Sequence, residues 1–360
     1  MALLCSVARM PGPPFFPALP LWWRLELLYS KRDDHPLRHR IGVATIDADR
    51  DFSTPSDPGN GGPETRILRG APLAGSLRAE IESSIATLIA AGGRPPRLVT
   101  VLVGSHPSAE AYRASIDRTM RRVGIEHVPL DLPVTASEAD LVRVLHELGA
   151  DPGVTGILVL MPLPPRLPLW LVFEHLSPLK DVDGITPTNA GRLSLGLPSL
   201  RPSTPQGGIE LLDHYGIDLS WTRAVVIGRS NVVGRPFATL LTQRDATVTV
   251  CHRKTVDLAG EVRRADLVGV AAGCAGLVTA EMIKAGATVL DFGVNVVGDK
   301  IVGDADFEGL LGVAGAITPV PGGTGPVTAL VLARNTVAAG FAALGGSLDH
   351  VELPLAAVPC

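Results

Sequence analysis

The residues with the clearest chemistry lie in segment 225–236, which has the sequence V-V-I-G-R-S-N-V-V-G-R-P. An apolar run followed by a glycine turn and a helix start presents backbone N–H groups and a helix dipole to a phosphate. The candidate phosphate ligands are Gly228, Arg229, Ser230 and Gly234. Because the two glycines are six residues apart, the segment is not a G-x-G-x-x-G motif, and an ordinary strand, turn and helix stays an alternative.

The next apolar run, 246–250, ends in Cys251-His252-Arg253-Lys254. A site for NAD usually has an acid here, about 20 residues past the first glycine, which binds the ribose 2′-hydroxyl. A basic residue at this place favours a 2′-phosphate, and Arg253 is the candidate for that contact. The sequence therefore predicts NADP rather than NAD as the cofactor. A solvated surface position is the alternative for each of these charges, and above all for Lys254.

The bulk composition limits the class of protein. With 360 residues, 46% of them apolar, the chain is long enough for two domains with buried cores. Its net charge of −4 gives no broad basic surface, so we expect no nucleic-acid partner. The four cysteines lack C-x-x-C spacing and the nine histidines lack paired ligand spacing. We therefore expect free thiols in a reducing cytoplasm and no metal site.

An uncharged stretch, 309–333, is long enough to suggest a membrane span. It contains three prolines and several glycines between 319 and 326, so no single helix runs through it. We expect a loop followed by a helix, and no membrane partner.

Residues 1–62 differ from the rest of the chain. Their periodicity is poor and 53–63 is rich in Pro, Gly, Asp and Ser, which predicts a mostly disordered extension. A targeting peptide and a translation start further along the chain stay open as alternatives. No function is assigned to this extension or to a tail over 346–360.

From about residue 65, apolar runs with strand and helix periodicity alternate. Strands are predicted at 98–103, 126–130, 154–160, 224–227, 247–250, 267–271 and 288–292, and helices at 77–91, 109–123, 137–148, 169–175, 236–242, 280–285 and 327–343. Strands that alternate with helices are typical of parallel sheets. The expected fold class is therefore α/β, with a parallel sheet in each half and a cleft between the halves.

Several short motifs follow one another in order. They are Y-R-A-S at 112–115, G-I-L-V-L-M-P-L-P at 156–164, K-D-V-D-G at 180–184, G-R-S at 228–230, D-F-G-V-N at 291–295 and T-P-V-P-G-G-T-G-P at 318–326. Each is weak alone, but K-D-V-D-G, G-R-S-x-x-V-G and P-V-P-G-G-x-G-P together are highly specific. Over about residues 66–342 the chain resembles the bifunctional methylenetetrahydrofolate dehydrogenase/cyclohydrolase family, of the FolD type.

The resemblance implies a homodimer of two-domain subunits. A catalytic α/β domain over 63–205 would be completed by 318–345, and a Rossmann-type NADP domain would occupy 206–317, with the tetrahydrofolate derivative in the cleft. The family oxidises 5,10-methylenetetrahydrofolate with NADP to the 5,10-methenyl cation. It then hydrates and opens that cation to 10-formyltetrahydrofolate.

The resemblance also implies roles for single residues. Tyr112 matches the tyrosine that stacks on the folate ring system, and Asp183 the acid that binds the pterin edge, where a carboxylate suits paired N–H donors. Core packing is the alternative for Tyr112 and a turn cap for Asp183, while we expect Asp181 to be structural. Val294 matches a backbone contact beside the nicotinamide. The other expected substrate contacts are Val159, Leu160, Met161, Pro321, Gly322, Gly323, Thr324 and Gly325.

Four positions depart from the family pattern. Ser203 replaces its usual cysteine and Arg253 its usual serine, and the other two positions are partners of each other. The family has a lysine four residues after the tyrosine, on the same helix face, and this chain has Ile116 there. The glutamine that partners this lysine is replaced by Leu160. Two apolar replacements at partnered positions look concerted, because a buried glutamine without its lysine is poorly satisfied. Arg118 is not expected to replace the lysine, since it lies about 200° round the helix from position 116.

These replacements separate the two activities. Hydride removal leaves a cation delocalised over N5 and N10 and needs no proton transfer to a side chain, so positioning can supply much of the rate. Ring opening needs general acid–base groups, which typically contribute about 10²–10⁴-fold. We therefore predict an NADP-dependent dehydrogenase whose cyclohydrolase activity is weak or lost. A degenerate paralogue that binds NADP or folate without turnover, and an NADP oxidoreductase with another substrate, stay open as alternatives.

Overall fold

A computed structural model of the protein describes residues 64–350, apart from the side chain of His350. The predicted extension over 1–62 and most of the predicted tail lie outside the described residues. Within them, the chain forms two parallel sheets with helices packed against them, and a small antiparallel hairpin.

The first sheet has three parallel strands in the order β3-β2-β4. They are β2 (Arg97–Val103), β3 (Glu126–Leu132) and β4 (Gly156–Val159). The central strand β2 is almost wholly buried, as its run R-L-V-T-V-L-V predicts for a strand covered on both faces. The helices along this part of the chain are α1 (Ala71–Ala90), α2 (Pro107–Arg122), α3 (Glu138–Ala150), α4 (Trp170–His175), α5 (Pro187–Ser194) and α6 (Ser203–His214).

The second sheet has six parallel strands in the order β1-β11-β8-β7-β5-β6. They are β1 (Arg66–Ile67), β5 (Arg223–Ile227), β6 (Thr247–Cys251), β7 (Leu267–Val270), β8 (Thr288–Asp291) and β11 (Ala316–Ile317). The elements between them are α7 (Gly234–Thr242), α8 (Leu258–Arg263), the hairpin of β9 (Asn295–Val297) and β10 (Lys300–Val302), and α9 (Phe307–Leu310). The strand order reverses at β5, and a reversal of this kind opens a ligand crevice at the carboxyl ends of the strands.

The strand β1 differs from the predicted domain boundary, which assigned everything from residue 63 to the first domain. Arg66 pairs with Ala316 of β11, so the start of the described chain is an edge of the second sheet. The backbone N–H groups of Arg66 and Leu68 donate to the carbonyls of Gly315 and Ile317. Two residues are too short a run for strand periodicity, which explains why the sequence gives no signal here.

The long helix α10 (Thr324–Gly345) returns to the first half of the protein. It packs against α1, α2, α6 and β4. The buried side chain of Asn335 donates hydrogen bonds to the carbonyls of Val182 and Arg201, at 2.8 and 2.7 Å. The helix is long and apolar enough to cross a membrane, but 83% of its most apolar window is buried inside the protein. The described structure thus has a loop followed by a core helix here, as expected.

Several predicted bounds shift for local reasons. Helix α1 starts at Ala71, before the predicted start, because Pro72 fits the first helical turn, where a missing N–H costs nothing. The cap of α3 is Ser137, which accepts from the N–H of Asp140 while that carboxylate accepts from the N–H of Ser137. The predicted helix 280–285 is wrong: only the 3₁₀ turn Ala280–Met282 forms, since Ile283 is extended and buried in the core.

Candidate active site

One cavity of about 780 Å³ collects many of the predicted site residues. Its wall is formed by α1, α2, the start of α6, the end of β8 with the following hairpin, and the loop that leads into α10. The predicted residues that line it are Tyr112, Val294, Pro321, Gly322, Gly323, Thr324 and Gly325. Residues far apart in the sequence therefore meet at a single concave surface, which is the usual setting of a small-molecule site.

Tyr112 lies on α2 at the wall of this cavity and is 37% exposed. Its side chain is therefore not packed away in the core. Burial around its hydroxyl raises the pKa of Tyr112, the nearby charge of Asp183 raises it further, and a hydrogen bond with Ser203 lowers it. The phenol is thus neutral at physiological pH, with its flat ring at an open cavity.

The carboxyl group of Asp183 is hydrogen-bonded to the first residue of α6. Its Oδ1 atom accepts hydrogen bonds from the hydroxyl and the N–H of Ser203, at 3.0 and 3.4 Å. Burial raises the pKa of Asp183 to about 7, even though these hydrogen bonds lower it. At neutral pH the carboxyl group is therefore close to its midpoint, where it can hold or release a proton.

Asp181 has the structural role expected for it. It is fully buried and accepts hydrogen bonds from the N–H groups of Ile185 and Thr186 and from the side-chain amide of Asn189. The turn also needs Gly184, whose φ is +59° and where a Cβ would overlap the carbonyl oxygen of Leu200. Together these contacts fix the turn that carries Asp183.

The two partnered positions that depart from the family pattern, 116 and 160, are both in the core. Ile116 is fully buried and Leu160 is 2% exposed, and both belong to one hydrophobic cluster. Neither lines the cavity. The ionisable side chains among the described lining residues are Tyr112 and three arginines, Arg78, Arg118 and Arg122, so this wall offers no carboxylate, lysine or histidine.

The predicted nucleotide turn follows β5 directly. Gly228 has a φ of +123°, and a Cβ there would overlap the carbonyl oxygen of Ala271. A Cβ on Gly234 would overlap the carbonyl oxygen of Gly228. The Ser230 hydroxyl accepts from the N–H groups of Val233 and Gly234, at 3.1 and 3.3 Å. Both glycines are therefore required by close backbone approach, as a phosphate turn demands.

The basic end of β6 lies beside this turn. Cys251 is the register partner of Ile227, and its carbonyl accepts from the N–H of Gly228 at 2.9 Å. Arg229 and Arg253 are both exposed, and neither forms an ion pair with a carboxylate among the described residues. Two exposed guanidinium groups thus follow neighbouring strands, Arg229 after β5 and Arg253 after β6.

Comparison with known proteins follows the same division. The sequence matches the family "Tetrahydrofolate dehydrogenase/cyclohydrolase, catalytic domain" over residues 68–183 and its NAD(P)-binding domain over 202–343. The chain belongs to the tetrahydrofolate dehydrogenase/cyclohydrolase family. This confirms the predicted family and the two-domain α/β fold.

Individual relatives and solved structures support the same family. The bifunctional protein FolD of Chloroflexus aurantiacus is 51% identical over 281 residues, which cover 78% of this chain and 99% of the relative. The solved FolD from Campylobacter jejuni aligns with a TM-score of 0.74 at 41% identity, over 77% of this chain and 98% of that one. The Trypanosoma brucei enzyme, solved with NADP cofactor and an inhibitor, aligns with a TM-score of 0.75 at 34% identity, over 78% and 99% of the two chains.

Not every predicted substrate contact reaches the cavity of this family member. Asp183, Val159, Leu160 and Met161 are absent from its described lining. Val159 is buried in a different hydrophobic cluster from Leu160, and Met161 packs against the cluster of Val159. Successive side chains of a strand point to opposite faces, so these neighbours cannot all face one site.

Sequence reasoning also missed residues. Arg78, Arg118 and Arg122 line the cavity, although the sequence analysis assigns them no role there. On α2, Arg118 and Ile116 lie on opposite sides of Tyr112. The spacing of Tyr112, Ser115, Thr119 and Arg122 along one face of α2 is the signal that could have found this wall. Asp291 is a further missed residue: it accepts from the N–H groups of Gly293, Asp304 and Ala305 and so supports the backbone before Val294.

Proposed function

We propose that the protein is an NADP-dependent 5,10-methylenetetrahydrofolate dehydrogenase of one-carbon metabolism whose cyclohydrolase activity is weak or lost. One observation carries the proposal. The cavity keeps Tyr112, Val294 and the loop 321–325, while Ile116 and Leu160 lie in the core. The binding surface of the family is thus retained without its acid–base pair.

The residues present fit NADP. The glycine turn after β5 is of the kind that presents backbone N–H groups to a phosphate, and the exposed Arg229 and Arg253 suit the extra phosphate. When bound, NADP supplies the acceptor for the hydride. The Trypanosoma brucei relative, solved with NADP, supports this cofactor.

The cavity then has to hold the folate against the nicotinamide. Tyr112 offers an aromatic face for the flat pterin. Asp183 is not among the lining residues but shares Ser203 with Tyr112, and in this proposal it accepts hydrogen bonds from the N–H groups at the pterin edge. The hydride leaves the methylene carbon with both electrons of its C–H bond, and the resulting positive charge spreads over N5 and N10. No side chain has to take a proton in this step, so the missing lysine does not prevent it.

The cationic wall suits the other end of the substrate. Arg78, Arg118 and Arg122 line the cavity on α1 and α2 and form no ion pairs with described carboxylates. Folates end in a glutamate with two carboxylates, which guanidinium groups bind well. We infer that this arginine wall orients the glutamate end.

Hydrolysis of the methenyl cation makes a different demand. Water must attack the cation and lose a proton, and N5 must gain one. Ile116 and Leu160 cannot move a proton, and the loss of such general acid–base help costs about 10²–10⁴-fold. The carboxyl group of Asp183 does not line the cavity, and it accepts two hydrogen bonds from Ser203.

The test is absorbance-followed oxidation of 5,10-methylenetetrahydrofolate, with NADP and NAD in parallel. We expect NADP-dependent formation of the methenyl product, which then accumulates. The variant Ile116→Lys with Leu160→Gln should recover hydrolysis, and the single variant Leu160→Gln serves as its control. Because position 116 is fully buried, thermal melting must accompany the assay. Opening of methenyl-folate by the native protein well above the buffer rate would refute the loss of hydrolase activity.

The same assay decides between the alternatives. The two core substitutions motivate one alternative, a degenerate paralogue that binds NADP or folate without turnover, whereas the retained Tyr112, Asp183 and loop 321–325 argue against it. A folded protein that binds NADP but turns over with neither nucleotide would support that function. NADP binding without folate binding would instead support an NADP oxidoreductase with another substrate.

The quaternary state and location belong to this proposal as well. We propose a cytoplasmic homodimer with a catalytic domain over 63–205 and 318–345 and an NADP domain over 206–317. The strand β1 is the exception: it lies within 63–205 in sequence but belongs to the second sheet. The edge strand β6 supports a dimer, since it is exposed at Thr247, Thr249 and Val250. Sedimentation equilibrium measures the subunit number directly.

A further inference from the structure

A second cavity lies on the other side of α6 from the candidate active site. It has a volume of about 640 Å³ and shares no lining residue with the first cavity. Its apolar wall comes from α1, α6 and α7, and the residues are Leu73, Leu77, Ile209 and Leu240. A space of this size holds a small organic molecule.

Three arginines face this cavity, and two of them are neutralised by carboxylates. Arg334 pairs with Glu210, and Glu80 lies 3.8 Å from it. Arg244 donates two hydrogen bonds to Asp213. All these side chains line the cavity. The three carboxylates of the cluster are therefore already engaged with two of the three arginines.

The third arginine, Arg201, has no such partner. It is 5% exposed, and no described carboxylate lies within ion-pair distance of it. Among the described residues, the one hydrogen-bond acceptor of its side chain is the side-chain oxygen of Gln206, at 3.4 Å from Nη1, and its buried Nε has none. Burial lowers the pKa of Arg201 and the nearby charges of Arg334 and Arg244 lower it further, while the charge of Glu210 raises it. A buried guanidinium without an anion is costly, since it can give up neither its charge nor its donors.

We propose that this cavity is a second ligand site, distinct from the nucleotide and folate sites, which takes an organic acid. A carboxylate or phosphate group would occupy the fork of Arg201, which binds either in a two-point geometry. An apolar body would lie along the leucine and isoleucine wall. The ligand thereby provides the anionic acceptor that Arg201 lacks, since the three carboxylates contact the other two arginines.

The experiment is calorimetric titration of the full chain with benzoate, phenyl phosphate and inorganic phosphate, in excess NADP so that the nucleotide turn is filled. We expect one-to-one binding of an aryl acid, weakened at least tenfold in Arg201→Gln and unchanged in Arg94→Gln, a variant of an exposed arginine outside both cavities. Benzoate binding identifies a carboxylate ligand. Binding of the two phosphates alone identifies a phosphate ligand.

Two results would overturn the proposal: no acid binds the native protein, or Arg201→Gln binds as tightly as the native chain. Circular dichroism melting shows whether that variant folds. If it does not, Gln206→Glu replaces it, because it places a carboxylate where the amide oxygen now contacts Arg201. This internal anion should abolish binding, and undiminished binding would contradict the site.

Discussion

The nucleotide turn after β5 and the pocket around Tyr112 and Asp183 are built in opposite ways. The turn is made of backbone, with Gly228 and Gly234 packed so closely that neither position has room for a Cβ. The pocket is made of side chains, with a phenol and a carboxyl group connected through Ser203. The comparison teaches that a backbone site fails when any side chain is added, whereas a side-chain site can lose one activity and keep its shape.

The largest expected effect comes from breaking the backbone site. Gly234→Ala places a methyl group against the carbonyl oxygen of Gly228. We expect NADP affinity to fall on the order of a hundredfold, which corresponds to about 2.7 kcal/mol. Fluorescence titration with NADPH measures it. Gly75→Ala, at a helical position with free space around the added carbon, is the control and should bind normally.

The second prediction tests the side-chain pocket. Asp183→Asn keeps the shape but removes the acid that would bind the pterin edge, so we expect kcat/KM for methylenetetrahydrofolate to fall about a hundredfold while the KM for NADP stays unchanged. Steady-state kinetics measures both. The surface variant Asp218→Asn is the control. A native kcat/KM in Asp183→Asn would remove the carboxyl group from the proposed mechanism.

A smaller effect separates the two nucleotides. Arg253→Gln should weaken NADP about tenfold and leave NAD unchanged, because only NADP carries the phosphate that this arginine would bind. Lys254→Gln, at the neighbouring exposed position, is the matched control and should have less than about a twofold effect if its charge is merely solvated. An equal loss of affinity for NADP and NAD would show that Arg253 does not bind the 2′-phosphate.

The smallest effect is on stability against pH. The pKa of Asp183 is raised to about 7 in the folded protein, whereas in an unfolded chain it is about 3.9. Between these values the folded state keeps a proton that the unfolded state loses, so this group makes the protein less stable as pH rises from about 4 to 7. Asp183→Asn should therefore melt higher than the native chain at pH 8, by on the order of 2 °C, and less so at pH 5. An identical difference at both pH values would contradict the raised pKa.

The sequence predicted the backbone site more completely than the side-chain site. A glycine turn between an apolar run and a helix is a local pattern. The spacing of residues in the sequence is therefore enough to pick out Gly228, Ser230 and Arg253 as candidates. The cavity wall depends on which face of each element points inward. Val159, Leu160 and Met161 were expected there, yet Leu160 packs in one core cluster and Val159 in another, against which Met161 also packs.

Other features needed long-range contacts. Arg66 and Ile67 form a strand only because β11 offers an edge about 250 residues later. Arg118 reaches the cavity because α2 packs with its Ile116 side toward the core. The sequence does not show that Arg201 lacks a carboxylate partner, because Glu210 and Asp213 are close to it in sequence. The structure shows that these two carboxylates form ion pairs with Arg334 and Arg244 instead.

The placement of α10 has a consequence for synthesis in the cell. This helix, Thr324–Gly345, completes the packing around β4 and α2, which are made far earlier. A ribosome adds about 5–20 residues per second, so the first sheet waits on the order of ten seconds or more for its last helix. During that interval its apolar surface is open to chaperones, and the second sheet can form before the first is finished.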